Sequence, residues 1–348
     1  MTVDELTQRA LESGAFAGAV VRVEREGSAK FEQAWGLALD TPWESRPTTA
    51  ATLFDVASVT KLFTTTAILR LATLGRLNLT DRLANLLGYS GTQLATLMGG
   101  ADVASALAHS TGFHPWFPFY AHPDRSFESI LEQVLRDHPP LATTVYSDLN
   151  FMLLGQVVSA VAGQPLAQAM DDLVFSPLSL DHSSYLVPRG PVAATEWGNR
   201  IEQTMVADRH LDFGGWRDTA HPIQGACDDG NTHYYFHGVS GHAGIFSDAR
   251  DLCRLGRAYL AEGSYLDADL RCRAGHDAGA GRGLGFQVGE TYPGSGFGHT
   301  GFTGTCLYLN QDRNLAVAIL TNRLHVESPR KVTEYFQSVN EAVLRGLG

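Results

Sequence analysis

The chain has 348 residues, 44% of them apolar, which is enough for one large domain or two lobes sharing a cleft and excludes a disordered chain. A formal net charge of −11 excludes the cationic surface that nucleic-acid binding requires and favours small or cationic ligands. Asp4 and Glu5 stand where a leader would carry a basic end, and no stretch holds about eighteen uninterrupted apolar residues, so the expectation is a cytoplasmic protein with no membrane segment.

Apolar positions at helical spacing predict a helix over 3–13, and a β-like pattern over 18–24 and 29–37 predicts a hairpin. The stretch 58–74 is long, apolar and free of Gly and Pro, so it predicts a buried helix opened by Ser58 and stopped at Gly75. Between about residues 80 and 235 short helical runs, at 130–136, 151–162 and 166–174, alternate with polar loops. Strand texture returns at 284–288, 305–310 and 315–322, before a closing helix near 329–344. Strands at both ends around a helical middle predict an α+β fold with one mixed sheet built from the two termini. The 1–348 domain would then have an α/β lobe from 1–79 and 236–348 and an inserted, mainly helical lobe from 80–235. Cys227, Cys253, Cys272 and Cys306 match no zinc spacing and read as reduced thiols, with Cys306 packing inside a strand.

Chemistry concentrates in three places. A serine hydroxyl is a weak nucleophile near neutral pH and needs a proton acceptor within reach. In Ser58-Val59-Thr60-Lys61 the three-residue spacing puts the Lys61 amine on the face of the Ser58 oxygen, while N–H groups at the helix start can bind an oxyanion. The spacing alone is common, and a snorkelling lysine would also satisfy it. Lys30, Lys61 and Lys331 are the only lysines, all other cations being arginine, and only lysine can give up its proton in a protein interior. Tyr146 precedes an apolar helix and can relay protons beside a lysine, although by itself it reads as an ordinary amphipathic residue. His299-Thr300-Gly301, in GHTGFTGT, leads into a strand whose glycines let a substrate backbone approach; the plain alternative is a hairpin with a loop histidine. His233 and His237, near Asp228 and Asp229, could hold a metal only on one continuous helix, which Gly238 interrupts, so no metal is expected. His109 and His242 read as structural residues of loops around the cleft.

Taken together and in this order, Ser58-x-x-Lys61, Tyr146-Ser147-Asp148 and His299-Thr300-Gly301 resemble the three signatures of the β-lactamase and DD-peptidase superfamily, in its class C β-lactamase-like branch. That branch includes DD-carboxypeptidases, family VIII carboxylesterases, D-amino-acid amidases and aminopeptidases, and acyltransferases. Blocks at 54–61 (FDVASVTK), 107–113 (LAHSTGF), 146–155, 177–180, 238–251 and 298–322 extend the likeness over nearly the whole chain. The resemblance implies an antiparallel sheet flanked by helices, with Ser58 acylated and Lys61 and Tyr146 sharing base and acid duties. It further implies Asp148, His299, Thr300 and Gly301 against the substrate, and an oxyanion hole from the backbone N–H groups of Ser58 and Phe302. The substrate would be a small ester, amide or peptide, with no cofactor; oligomeric state is left open.

Two departures from the pattern carry consequences. Asp148 stands where many relatives have Asn, and its charge would hold Lys61 protonated and shift the base role to Tyr146. His299 stands where the true β-lactamases usually have Lys, which weakens carboxylate recognition and implies little or no β-lactamase activity. The same departures motivate a second reading, a non-catalytic or penicillin-binding descendant that binds peptides or a partner in the cleft.

Overall fold

The computed structural model describes residues 1–186, 188, 190–260, 265–289 and 291–346. Helix α1 (Val3–Glu12) starts at a capping box in which the Thr2 hydroxyl accepts the Glu5 N–H and the Glu5 carboxylate accepts the Thr2 N–H. Strands β1 (Gly18–Arg25) and β2 (Ser28–Asp40) form the expected hairpin, and β3 (Ser45–Pro47) and β4 (Phe54–Asp55) follow. Helix α2 (Thr60–Thr73) closes with a Schellman motif: Gly75, at φ +67°, donates to the Ala72 carbonyl and Arg76 to the Leu71 carbonyl.

Short helices α3 (Leu83–Leu86), α4 (Gln93–Met98) and α5 (Val103–Leu107) precede α6 (Phe127–Asp137), α7 (Asp148–Ala162), α8 (Leu166–Met170) and α9 (Arg200–Ala207). All seven lie within the segment expected to be helical. The chain then forms β5 (Phe246–Ser247), α10 (Ala249–Leu260), α11 (Ala268–Ala274), β6 (Gln287–Val288), β7 (Phe297–Gly301), β8 (Thr305–Asn310), β9 (Leu315–Thr321) and α12 (Thr333–Gly346).

One seven-stranded sheet runs β3-β2-β1-β9-β8-β7-β6, so the two termini meet where β1 pairs with β9. Every pairing in it is antiparallel, not mixed. The tight turns of β1–β2 and β8–β9 reverse the chain directly, and no crossover unit supplies a parallel neighbour. Strand alternation divides the core. Ala19, Val21, Val317 and Ile319 pack with Phe336 and Val339 of α12, while Val20, Ala318 and Leu320 join the larger core with α2, α7 and α10. Among the described residues no single helix is long and apolar enough to cross a membrane, and the apolar α7 is packed inside the core.

Candidate active site

Ser58 does not open α2 directly. It occupies a single 3-10 turn, Ala57–Val59, and the helix begins at Thr60, because the Val59 and Thr60 N–H groups already serve the Val56 and Ala57 carbonyls. The expected group of free helix-start donors is therefore reduced. Lys61, one helical turn on, is 0% exposed, which removes the snorkelling reading. Its ammonium donates to Ser58 Oγ at 2.9 Å and to the His242 carbonyl at 3.1 Å. It also lies 2.8 Å from Asp148 Oδ1, an ion pair outside hydrogen-bond geometry, since that oxygen has no hydrogen-bond partner. Burial alone would lower the Lys61 pKa, but the charge of Asp148 and the contact with Tyr146 outweigh it and hold the group above the usual lysine range.

The His242 carbonyl reaches Lys61 because its loop lies tightly against α7: a Cβ on Gly241 would fall 2.2 Å from the Phe151 carbonyl oxygen. His242 itself is fixed by Nε2–H donating to Asp229 Oδ1 at 2.9 Å and by Nδ1 against Ser240 Oγ at 2.7 Å.

Tyr146 sits at the entry to α7, held by the loop that carries His109. Val145 N–H donates to the His109 carbonyl, Ser147 N–H donates to His109 Nδ1 at 3.1 Å, and Asp148 N–H donates to the Pro115 carbonyl. Two cations face the Tyr146 ring, Lys61 at 5.1 Å and Arg282 at 5.0 Å from its centroid, and the rings of His109 and His299 lie at 4.6 and 6.0 Å. His109 has the structural place expected of it. Burial, with Lys61 and Arg282 nearby, holds it neutral, well below the ordinary histidine range.

Sequence placed His299 against the substrate as a group titrating near neutrality, and the structure corrects that. His299 is 1% exposed, lies behind Tyr146, and donates from Nδ1 to the Thr300 carbonyl at 2.7 Å, leaving Nε2 buried without a partner. Burial first, then Lys61, lowers its pKa to about 3. Alternation along β7 is the cause, since His299 points inward. Its neighbours Thr300, Gly301 and Phe302 line the cleft instead. Because β6 pairs only with Phe297 and Gly298, this end of β7 has no strand on its outer side among the described residues. Phe302 is 44% exposed with Arg323 stacked on its ring.

Ser58, Tyr146, Asp148, Thr300, Gly301 and Phe302 thus converge on one cleft of about 460 Å³. Sequence reasoning missed Arg282, Gln287, Trp116 and the carboxylates Glu202, Asp228 and Asp229, which share it. Arg282 lies in GRGLGF without a spacing to mark it, while Asp228 and Asp229 stood out only as metal candidates. They are otherwise engaged, Asp228 accepting from the Thr195 hydroxyl and Asp229 from His242. His233 and His237 share no regular helix, since the π-turn of Asn231–Tyr235 ends first and His237 has φ +51°. All four cysteines are free, with Cys306 buried in β8 and Cys272 exposed.

A family model described as Beta-lactamase matches residues 3–339. The chain is similar to a Bacillus subtilis (strain 168) protein named N-acetylmuramyl-L-alanine amidase, with 29% identity over 93% of this chain and 80% of the relative. Among solved structures it is similar to a class C β-lactamase from Rhodobacter sphaeroides, with a TM-score of 0.73, 19% identity and 99% of both chains covered. It is also similar to "EstCE1, a hydrolase with promiscuous acyltransferase activity", with a TM-score of 0.71, 18% identity and 98% and 97% of the two chains covered.

Proposed function

The chain belongs to the Beta-lactamase family and is a serine hydrolase, and on that premise we propose that it cleaves small esters or amides through an acyl-Ser58 intermediate, with little β-lactamase activity. The observation that carries this reading is the 2.9 Å hydrogen bond from a fully buried Lys61 to a serine lining the cleft. A buried charge is costly unless it is used or paired, and this one is aimed at a nucleophile.

In the proposed reaction Tyr146 oxygen accepts the Ser58 proton as Oγ bonds to the substrate carbonyl carbon. It does so as the phenolate, which Lys61 and Arg282 against the ring favour, and it becomes the neutral phenol on taking that proton. The carbonyl electron pair moves to oxygen, where the N–H groups of Ser58 and Phe302 receive it. As the pair returns, the bond to the leaving group breaks and that group takes the proton from Tyr146. Water then repeats the sequence and releases the acid. Lys61, kept charged by Asp148, steadies the anionic oxygens and does not itself take the proton.

Arg282 supplies a cation that His299 does not, and Arg323 and Lys331 also line the cleft, where Asp148, Asp228 and Asp229 oppose a substrate carboxylate. Uncharged acyl groups or amine-bearing substrates suit such a wall. The non-catalytic alternative gains nothing from a buried, serine-directed lysine. The test is a panel of short-chain p-nitrophenyl esters, D-amino-acid amides and nitrocefin, with Ser58→Ala as control. Turnover of an ester or amide that the variant abolishes supports the reading, and no turnover of any of them opposes it.

A further inference from the structure

A ring of contacts closes beneath the cleft. Ala57 N–H donates to Asp55 Oδ1 at 2.8 Å, and Asp228 N–H donates to Asp55 Oδ2 at 2.7 Å. Asp229, next in the chain, accepts His242 Nε2–H at 2.9 Å. The His242 carbonyl accepts the Lys61 ammonium at 3.1 Å, and that ammonium donates to Ser58 at 2.9 Å. Ser58 follows Ala57, which completes the circuit. Ala57 has φ +46°, a left-handed backbone that a residue with a Cβ keeps only where its surroundings hold it.

We propose that Asp55 is a positioning residue for acylation: its carboxylate, accepting two backbone N–H groups, holds the Ala57–Ser58 turn against the Asp228–Asp229 wall, and the reaction requires it ionised. The inference rests on Ser58 being the nucleophile. Ionisation separates this role from that of a simple strut. A neutral carboxyl keeps one accepting oxygen and turns the other into an O–H that faces an N–H donor, so one of the two contacts fails.

The surroundings of Asp55 make that change accessible. It is fully buried. From the facing loop come the carboxylates of Asp228 and Asp229 and the Cys227 thiol, while Arg217 and Arg323 act on Asp228. The turn after β7 contributes the neutral Thr303, whose hydroxyl donates to the Asp55 carbonyl at 2.6 Å, and β5 contributes Phe246 and Ser247. Neither hydrogen-bond partner of the carboxylate is a cation. Burial and the Asp228 charge push its pKa up to about 7 against the two N–H bonds.

The experiment is the rate of covalent labelling of Ser58 in the full chain by a fluorophosphonate between pH 5 and 9, for wild type, Asp55→Asn and Asp228→Asn. In the wild type the pH dependence set by the serine's base should steepen by a second proton, from Asp55, below about pH 7. Asp55→Asn, whose amide offers one acceptor and one donor, should label roughly tenfold to a hundredfold more slowly at pH 8 and lose the second proton. Asp228→Asn keeps its backbone N–H but removes the like charge, and should move the second ionisation down by about one pH unit. A folded Asp55→Asn with the wild-type rate and profile would overturn the proposal. So would an Asp228→Asn profile with an unshifted ionisation, a readout that stands even where Asp55→Asn does not fold. A wild type that does not label at all overturns the hydrolase reading and this inference with it, whereas labelling without the second proton overturns only the inference.

Discussion

Lys61 and Asp148 face each other at 2.8 Å at the floor of the cleft, and Ser58 lies on the same ammonium at 2.9 Å. The carboxylate and the serine share one cation that is sealed from water. An ammonium so held has no lone pair to offer a serine proton, and this is why Tyr146 is assigned the proton transfer.

Replacement of Lys61 should therefore fail whether or not charge is kept. Lys61→Ala leaves Asp148 facing an empty, water-poor space, at a cost on the order of 3 kcal/mol in stability and about a hundredfold or more in kcat. Lys61→Arg keeps the charge, but a planar fork cannot place one nitrogen among Ser58, the His242 carbonyl and Asp148 as an ammonium does. Its kcat should be nearly as low. Near-normal kcat for Lys61→Arg would mean that a fixed positive charge alone suffices.

Asp148→Asn removes the charge that keeps Lys61 protonated, so burial would then lower the lysine pKa. With that negative charge gone, the coupled Lys61–Tyr146 pair should give up a proton more readily and supply the Tyr146 base at lower pH, moving the rising limb of kcat/KM down by about one unit. A limb that stays in place or moves upward would show that Asp148 does not control the lysine.

Periodicity was sufficient for α1, the β1–β2 hairpin, β8 and β9, because strands buried on both faces and an amphipathic terminal helix write their environment into the chain. It was less informative for β6, where only Gln287 and Val288 pair within the expected 284–288. Ser58 and Lys61 stood out through a three-residue spacing and the scarcity of lysine, whereas Tyr146, ordinary by itself at the start of an apolar helix, stood out only through the order of the three motifs. Arg282 and Asp55 did not, because their places depend on contacts far along the chain, Arg282 on Tyr146 and Asp55 on Asp228. The burial of His299 depends on the phase of β7, which one residue of register decides.

His299 makes a stability prediction with a definite sign. Its pKa is about 3 in the folded chain against about 6.5 unfolded, so it contributes stability fully present above pH 6.5 and lost as pH falls toward 3. His299→Gln lacks that dependence. Urea unfolding of both proteins should show the wild type losing up to about 3 kcal/mol relative to the variant between pH 7 and pH 4. A difference that stays constant with pH would place His299 in contact with solvent.

The acidic cleft bears on β-lactams. Their carboxylate meets Arg282, Arg323 and Lys331 but also Asp148 and the Asp228–Asp229 wall, whereas a short ester carries no charge to be repelled. The specificity constant for nitrocefin should lie below that for p-nitrophenyl butyrate, and Arg282→Ala should lower it further. A nitrocefin constant exceeding that for p-nitrophenyl acetate or butyrate would make β-lactamase the better description.

The nucleophile is the claim on which the rest depends, and covalent capture tests it most directly. Wild type and Ser58→Ala are treated with a fluorophosphonate, digested, and their peptides weighed by mass spectrometry. The expected result is one adduct, on the wild-type peptide containing Ser58. The variant should carry none, lose turnover, and stay folded to within about 1 kcal/mol, since only one oxygen, bonded to Lys61 from the turn before α2, is removed. An unlabelled wild type, or a variant that keeps its turnover and takes the label elsewhere, would contradict the assignment.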